Sequence, residues 1–217
     1  MKASFWARKL WFAQNLPGFK VNRLGSLSYI SSSPVIEAAN VVDGIPDSVD
    51  DVGRITDHYQ LHHSPAQWWM PTDVTSPAAW WLADAGWSID NVFIGMGFSP
   101  ALSERPWPDD DEPPHLDIRP CDSPERVRDL GLIRGSVYMK ENPKDGNQVF
   151  KVYQKAGEAI IRGEGGFRAW VCYVDGAAAA SVSTLTRRDD ELSGGETVGI
   201  YDLTTHPAHQ NQGYGRA

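Results

Sequence analysis

Apolar positions change period part-way along this chain, and the change divides it into two kinds of sequence. In the first half, "VDDVGRITDHYQLH" (49–62) places Val52, Ile55 and Tyr59 at helical spacing along one side. The stretch "PAAWWLADAGW" (77–87) reads as a shorter helix that stops near Gly86. From residue 115 the rhythm becomes strand and hairpin. "HLDIRPCD" (115–122) alternates as a short strand. Ser123 then stands at an N-cap position, with Pro124 at the first helical residue and Glu125 in the first turn, so a helix begins there. A second helix carries Val149, Val152, Tyr153, Ala156 and Ile160 on one stripe and stops at Gly163. Two apolar runs flank Asp175-Gly176, a strong hairpin signal, and a third strand, "ETVGIYDLTT" (196–205), follows a polar tip at 189–195. The expected order is strand, two helices, then three antiparallel strands.

The last strand runs into "HPAHQNQGYGRA" (206–217). Strict alternation puts Val198, Ile200, Asp202 and Thr204 on one face and Gly199, Tyr201, Leu203 and Thr205 on the other. Gly199 weakens the strand and invites a bulge or a close approach, and Pro207 removes a donor and ends the ladder. Gly213 and Gly215 let successive N–H groups converge on one point, and Asn211 tolerates a left-handed backbone. A splayed strand end beside an amide nest suits a ligand that is part peptide-like and part pyrophosphate. Coenzyme A has that shape: two amides in its pantetheine arm and a diphosphate beyond them.

With those residues in view, the segment resembles the acetyl-coenzyme A signature of the GNAT-type N-acetyltransferases: Gln or Arg, two residues, Gly, one residue, then Gly or Ala. Gln210, Gly213 and Gly215 match it, and "YDLTTHP" resembles the strand and proline that precede it. The resemblance covers the last hundred residues or so; the first hundred more weakly resemble the divergent N-terminal half of some two-part bacterial members. It implies an α/β (α+β) fold, a mixed and mostly antiparallel GNAT-like sheet flanked by helices, preceded by a smaller divergent GNAT-like half. The domain boundaries expected are 1–108, an acidic and proline-rich linker at 109–114, and an N-acetyltransferase domain at 115–217. Asn211 departs from the glycine frequent in close relatives. The chain also ends at Ala217, in what the resemblance makes the first turn of the helix under the pyrophosphate. The family's next strand and its final helix, which often supplies a tyrosine general acid, are then absent. The chain is expected to be truncated and weakly active or inactive as it stands, and an incomplete reading of a longer enzyme is a third alternative.

The resemblance further implies direct attack of a primary amine, on a small molecule or a peptide, on the thioester of acetyl-CoA, bound as co-substrate. Backbone groups of Leu203, Thr204 and Thr205 would hold pantetheine, with the Leu203 N–H polarising the thioester oxygen. Gln210, Asn211, Gln212, Gly213, Tyr214, Gly215 and Arg216 would hold the diphosphate. Tyr201, Asp202 and His206, at the strand end, are the nominees for proton transfer, each with a structural alternative in the core, in a hairpin pair or at the surface. Glu141, between the two helices, is a candidate for attracting a cationic amine. The competing phosphate motifs fit worse, since no Lys-Ser/Thr follows the glycines and no third glycine is present. The alternative class is a non-catalytic GNAT-like module for acyl-CoA binding or protein interaction.

Composition narrows partners more than chemistry. A formal charge of -8, from 20 basic and 28 acidic residues, argues against nonspecific nucleic-acid binding. Cys121 and Cys172 are too few and too far apart for a metal knuckle, so no metal is expected and both read as reduced thiols. Five of the nine tryptophans fall between Trp68 and Trp87, and packing explains such a cluster better than a binding platform. His62 and His63 lack a ligand at metal spacing and read as solvated. No signal peptide and no run of eighteen apolar residues is evident, so no membrane span and a cytoplasmic location are expected. A homodimer is left open.

Overall fold

The structure is a computed structural model that describes residues 2–32, 40–70, 76–89, 116–139, 142–188 and 196–212. The chain divides into two compact units, Met1–Ser99 and Pro100–Ala217. The linker expected at 109–114 lies outside the described residues, as do Glu141 and the polar tip at 189–195. Among the described residues no helix is long and apolar enough to cross a membrane.

The N-terminal unit opens with helix α1 (Lys2–Asn15) and a hairpin of β1 (Phe19–Leu24) and β2 (Leu27–Ser32). Strand β3 (Val41–Asp43) joins β2 antiparallel, and β4 (Gln67–Trp69) joins β3 parallel, with helix α2 (Val49–Leu61) between them in sequence. Ser48 caps α2 by accepting from the Asp51 N–H, and Val52, Ile55 and Tyr59 are the buried stripe that the spacing predicts. Leu27, Val42, Ile55 and Tyr59 form a core cluster, with Trp68 and Trp87 packed against it. Those two indoles meet edge to face, and each finds an acceptor: Trp68 Nε1 donates to the Gly44 carbonyl and Trp87 Nε1 to Thr56 Oγ1. Trp68 and Trp87 are thus packing residues, Trp69 and Trp81 are half-buried, and Trp80, on α3 (Pro77–Asp84), is exposed. His62 and His63 are exposed as expected.

The C-terminal unit is one antiparallel sheet in the order β5 (Leu116–Pro120), β6 (Phe167–Val174), β7 (Ala177–Arg188), β8 (Glu196–Thr205), with β8 at one edge. Asp175 and Gly176 both take positive φ, 50° and 80°, which is the backbone a two-residue hairpin needs. Helix α4 (Pro124–Met139) starts at Ser123, whose Oγ accepts from the Arg126 N–H. The second helix runs as α5 (Pro143–Lys155) and α6 (Gly157–Arg162), broken at Ala156 and closed by Gly163 at a φ of 62°. Of the stripe read from spacing, Tyr153, Ala156 and Ile160 are buried, while Val149 and Val152 are half-buried.

Helices α4 and α5 touch backbone to backbone. A Cβ on Gly135 would lie 2.7 Å from the Gly146 carbonyl oxygen, and one on Gly146 would lie 2.7 Å from that of Gly135. A backbone carbonyl cannot swing aside as a side-chain tip can. The approach therefore depends on glycine at both positions.

Two outcomes follow from this packing. Gly135→Ala gains about 1 kcal/mol of helix propensity but must push α4 from α5, at a cost of about 1–3 kcal/mol, so a net loss of stability is expected in urea unfolding. Burial holds the Cys121 thiol up at about 12 and also raises Cys172, so both stay protonated at pH 8. A disulfide reagent should label the native chain slowly at that pH and the denatured chain at once.

Candidate functional site

Strand β8 pairs with β7 on one side, and no described strand covers its other side. The pairing is regular from Glu196↔Arg188 to Tyr201↔Ser183 and resumes at Thr204↔Ser181. Asp202 and Leu203 therefore stand opposite Val182 alone, which is a β-bulge. Asp202 takes a left-handed φ of 52° to make it.

The bulge alters which residues share a face. Tyr201 is buried, while Val198, Ile200 and Leu203 are exposed, Ile200 at 72% and Leu203 at 60%. The strict alternation expected across 198–205 thus holds only as far as Tyr201. The extra residue moves Thr204 to the helix side, beside Arg134. Gly199 has its own reason: a Cβ there would lie 2.3 Å from the Tyr201 hydroxyl oxygen, so the tyrosine ring occupies the space that glycine leaves.

Beneath the bulge sits a buried polar cluster. Arg134, in the middle of α4, is 4% exposed. Its Nη1 donates to Thr204 Oγ1 at 3.0 Å and lies 3.5 Å from Asp202 Oδ2. The Tyr153 hydroxyl on α5 donates to the same Asp202 oxygen at 3.1 Å, and its ring lies beside the guanidinium. Thr204 Oγ1 in turn donates to the Asp202 carbonyl at 2.9 Å. Neither Arg134 nor Tyr153 was singled out for function by the sequence. The signal was a charge on an apolar stripe, since Arg134 follows Val127 and Leu130 at helical spacing.

Past the bulge the His206 N–H donates to the Ala179 carbonyl at 2.8 Å, while Thr205 faces Ala180. Antiparallel pairing alternates, so the N–H and C=O of Thr205 point away from β7 toward the open edge. Gln210 Nε2 reaches that carbonyl at 3.4 Å. His206 Nδ1 accepts from the Ala208 N–H at 3.2 Å, which places the proton of a neutral ring on Nε2. Asn211 has a φ of 63°, the left-handed geometry its side chain tolerates. Gln212 is exposed, and Gly213, Tyr214, Gly215 and Arg216 lie outside the described residues.

At the far edge of the sheet a polar depression of about 370 Å³ is lined by Asp117, Arg119, Arg126, Asp129 and Tyr173 among others. Its charges compensate locally. Arg119 pairs with Asp117, Arg126 with Asp122, and the Tyr173 hydroxyl donates to Asp129 at 2.7 Å. Among the described residues no group of three metal-ligating side chains is present.

An antiparallel sheet backed by helices, with a bulged and open edge strand leading into a polar loop, defines the class of site. Residues 136–217, which contain that strand and loop, match the model of the Acetyltransferase (GNAT) family. Three solved structures are similar over 46% of this chain. They are a Trypanosoma brucei acetyltransferase (16% identity, TM-score 0.34, 67% of that chain covered), a GCN5-related N-acetyltransferase from Ralstonia eutropha (17%, 0.33, 69%) and an aminoglycoside acetyltransferase from an uncultured soil metagenomic sample (18%, 0.35, 64%). This chain thus spans about two thirds of their length. No curated protein sequence matches it significantly.

The cluster beneath the bulge makes a direct prediction. Asp202→Ala removes the carboxylate beside a buried guanidinium and leaves a residue poorly suited to positive φ. A loss of about 2–4 kcal/mol is expected in urea unfolding, and a smaller one for Asp202→Asn, which keeps the tolerance of left-handed backbone.

Proposed function

We propose that this chain carries an N-acetyltransferase domain that takes acetyl-CoA along the open edge of β8 and delivers the acetyl group to a primary amine. The observation that supports this reading is the edge itself. The main chain of Thr205 faces outward just past a bulge, next to a loop that matches the family, and an extended arm with two amides can pair with such an edge. Leu203 and Thr205 then hold the pantetheine arm, and the Leu203 N–H polarises the thioester oxygen. Thr204 contributes through its main chain, its hydroxyl being tied to Arg134 and Asp202. Gln210 to Arg216 take the diphosphate.

In the reaction the neutral amine nitrogen attacks the thioester carbon, and the tetrahedral intermediate collapses with loss of the thiolate. The nitrogen gives up one proton, and the thiolate takes one to leave as the free thiol. Positioning of the two reactants in one complex supplies much of the acceleration. The acceptor is a small-molecule or peptide amine.

A second reading, a non-catalytic module that binds acyl-CoA, draws on the state of the three nominated residues. Tyr201 is buried over Gly199, the Asp202 carboxylate is held by Arg134 and Tyr153, and His206 carries its proton on the outer nitrogen when neutral. None of the three presents an unengaged base.

Calorimetric titration of the chain with acetyl-CoA should give saturable heat with a Kd of roughly micromolar order. Release of free thiol over a panel of primary amines should then report turnover. Saturable binding without turnover across the panel favours the module, and no saturable heat overturns both readings.

A further inference from the structure

We infer that Arg134 is a positioning residue for acetyl transfer, holding the bulge at Asp202 in the shape that offers the edge amides of Leu203 and Thr205 to the thioester arm. The inference rests on the acetyl-CoA reading above and adds to it the device that sets the edge.

Asp tolerates a left-handed backbone better than most residues but still at some cost, so the contacts on Asp202 at its φ of 52° favour the bulge. Three ties act on Asp202. Its side-chain oxygen receives the Tyr153 hydroxyl at 3.1 Å and faces Arg134 Nη1 at 3.5 Å. Its carbonyl receives the Thr204 hydroxyl at 2.9 Å. Arg134 also fixes that hydroxyl, because Nη1 donates to Thr204 Oγ1 at 3.0 Å and so turns the Thr204 proton toward Asp202. One guanidinium thus governs both residues that flank Leu203 in sequence. The ties come from the helix side, while the Leu203 side chain is 60% exposed and those of Val198 and Ile200 are exposed too. Arg134 therefore acts on the edge without touching what binds there.

The shape of the group matters as well as its charge. A single guanidinium nitrogen, Nη1, makes both contacts while the planar group lies against the Tyr153 ring, and a Lys ammonium keeps the charge without that planar group. Arg134 is held in turn by its setting, beside the Tyr153 ring and next to Gly135, where α4 and α5 touch.

The test is calorimetry on the whole chain with two probes, acetyl-CoA and 3′-phospho-ADP, the nucleotide end of coenzyme A alone. Removing only Arg134 would leave the Asp202 charge beside an emptied site, so the main variant is the double substitution Arg134→Met with Asp202→Asn. Tyr153→Phe and Arg134→Lys are measured beside it. Backbone amide NMR resonances of Leu203 and Thr205 are followed in all of them. The double variant should bind acetyl-CoA about tenfold more weakly, bind 3′-phospho-ADP as the wild type does, and move both resonances. Tyr153→Phe should give the same pattern in smaller degree, and Arg134→Lys should rescue it only in part. Equal loss for both probes marks a merely structural role and overturns the inference. So do unchanged acetyl-CoA affinity or unmoved Leu203 and Thr205 resonances, each of which leaves the acetyl-CoA reading standing. Failure of the wild type to bind acetyl-CoA overturns the two together.

Discussion

Helix α4 carries a guanidinium into the core beneath the break in the β7–β8 ladder, and the local structure is arranged around that charge. Transferring an unpaired cation out of water costs far more than one hydrogen bond returns, so the site must supply compensation. Asp202 supplies the opposite charge, Thr204 an acceptor and Tyr153 a ring beside the charge and a hydroxyl on the same carboxylate. With Tyr201 buried, strict alternation would turn Asp202 and Thr204 outward with Val198 and Ile200, so bringing them to Arg134 requires an extra residue after Tyr201. The bulge and the buried charge are two aspects of one constraint.

The glycine contact between α4 and α5 belongs to the same constraint. Tyr153 reaches Asp202 from α5, while Arg134 reaches it from α4, and both meet one carboxylate oxygen. Helices spaced by ordinary side chains lie 8–10 Å apart, which is about the reach of one long side chain. Gly135 and Gly146 remove that spacer where it would separate the two donors. An apolar trio in place of Arg134, Asp202 and Tyr153 would pack with no desolvation cost and would specify no bulge. The polar solution costs more and fixes one backbone conformation at the sheet edge.

How much of this was legible in sequence depended on the range of each interaction. The Ser123 cap, the Asp175-Gly176 turn, the Gly163 stop and the stripe of α2 are decided by neighbours within a few residues, and all were read correctly. The bulge was not, because it depends on a partner about seventy positions away: Arg134 and Thr204 meet only once the sheet and helix are assembled. Gly199 was read as a weak point for a bulge or an incoming chain. Its actual occupant is the ring of Tyr201, two residues along the same strand, and the break falls at Asp202. Gly131, Gly135 and Gly146 look in sequence like poor helix formers, and only the helix pair gives them a purpose. Of the residues assigned to the ligand, those from Leu203 to Gln212 have a described place along the open edge and the loop after it. The glycines that carried the resemblance lie outside the described residues.

The commitment of Asp202 to Arg134 separates two tasks that the strand end has to perform under the acetyltransferase reading. A carboxylate that both compensates a buried guanidinium and receives a tyrosine hydroxyl is a poor proton acceptor, because protonating it would leave the Arg134 charge without that compensation. Its contribution is to shape the edge. Under that reading proton removal from the attacking amine falls elsewhere than on Asp202. His206 is another of the nominated residues, and its Nδ1 is occupied by the Ala208 N–H. A neutral His206 would offer the departing thiolate a hydrogen bond through Nε2, while the amine would lose its proton to solvent or to a group the acceptor brings and the thiolate would take one from solvent. Such a division needs no strong base in the protein. It requires only that the amine arrive neutral and that the edge amides be aimed before it does.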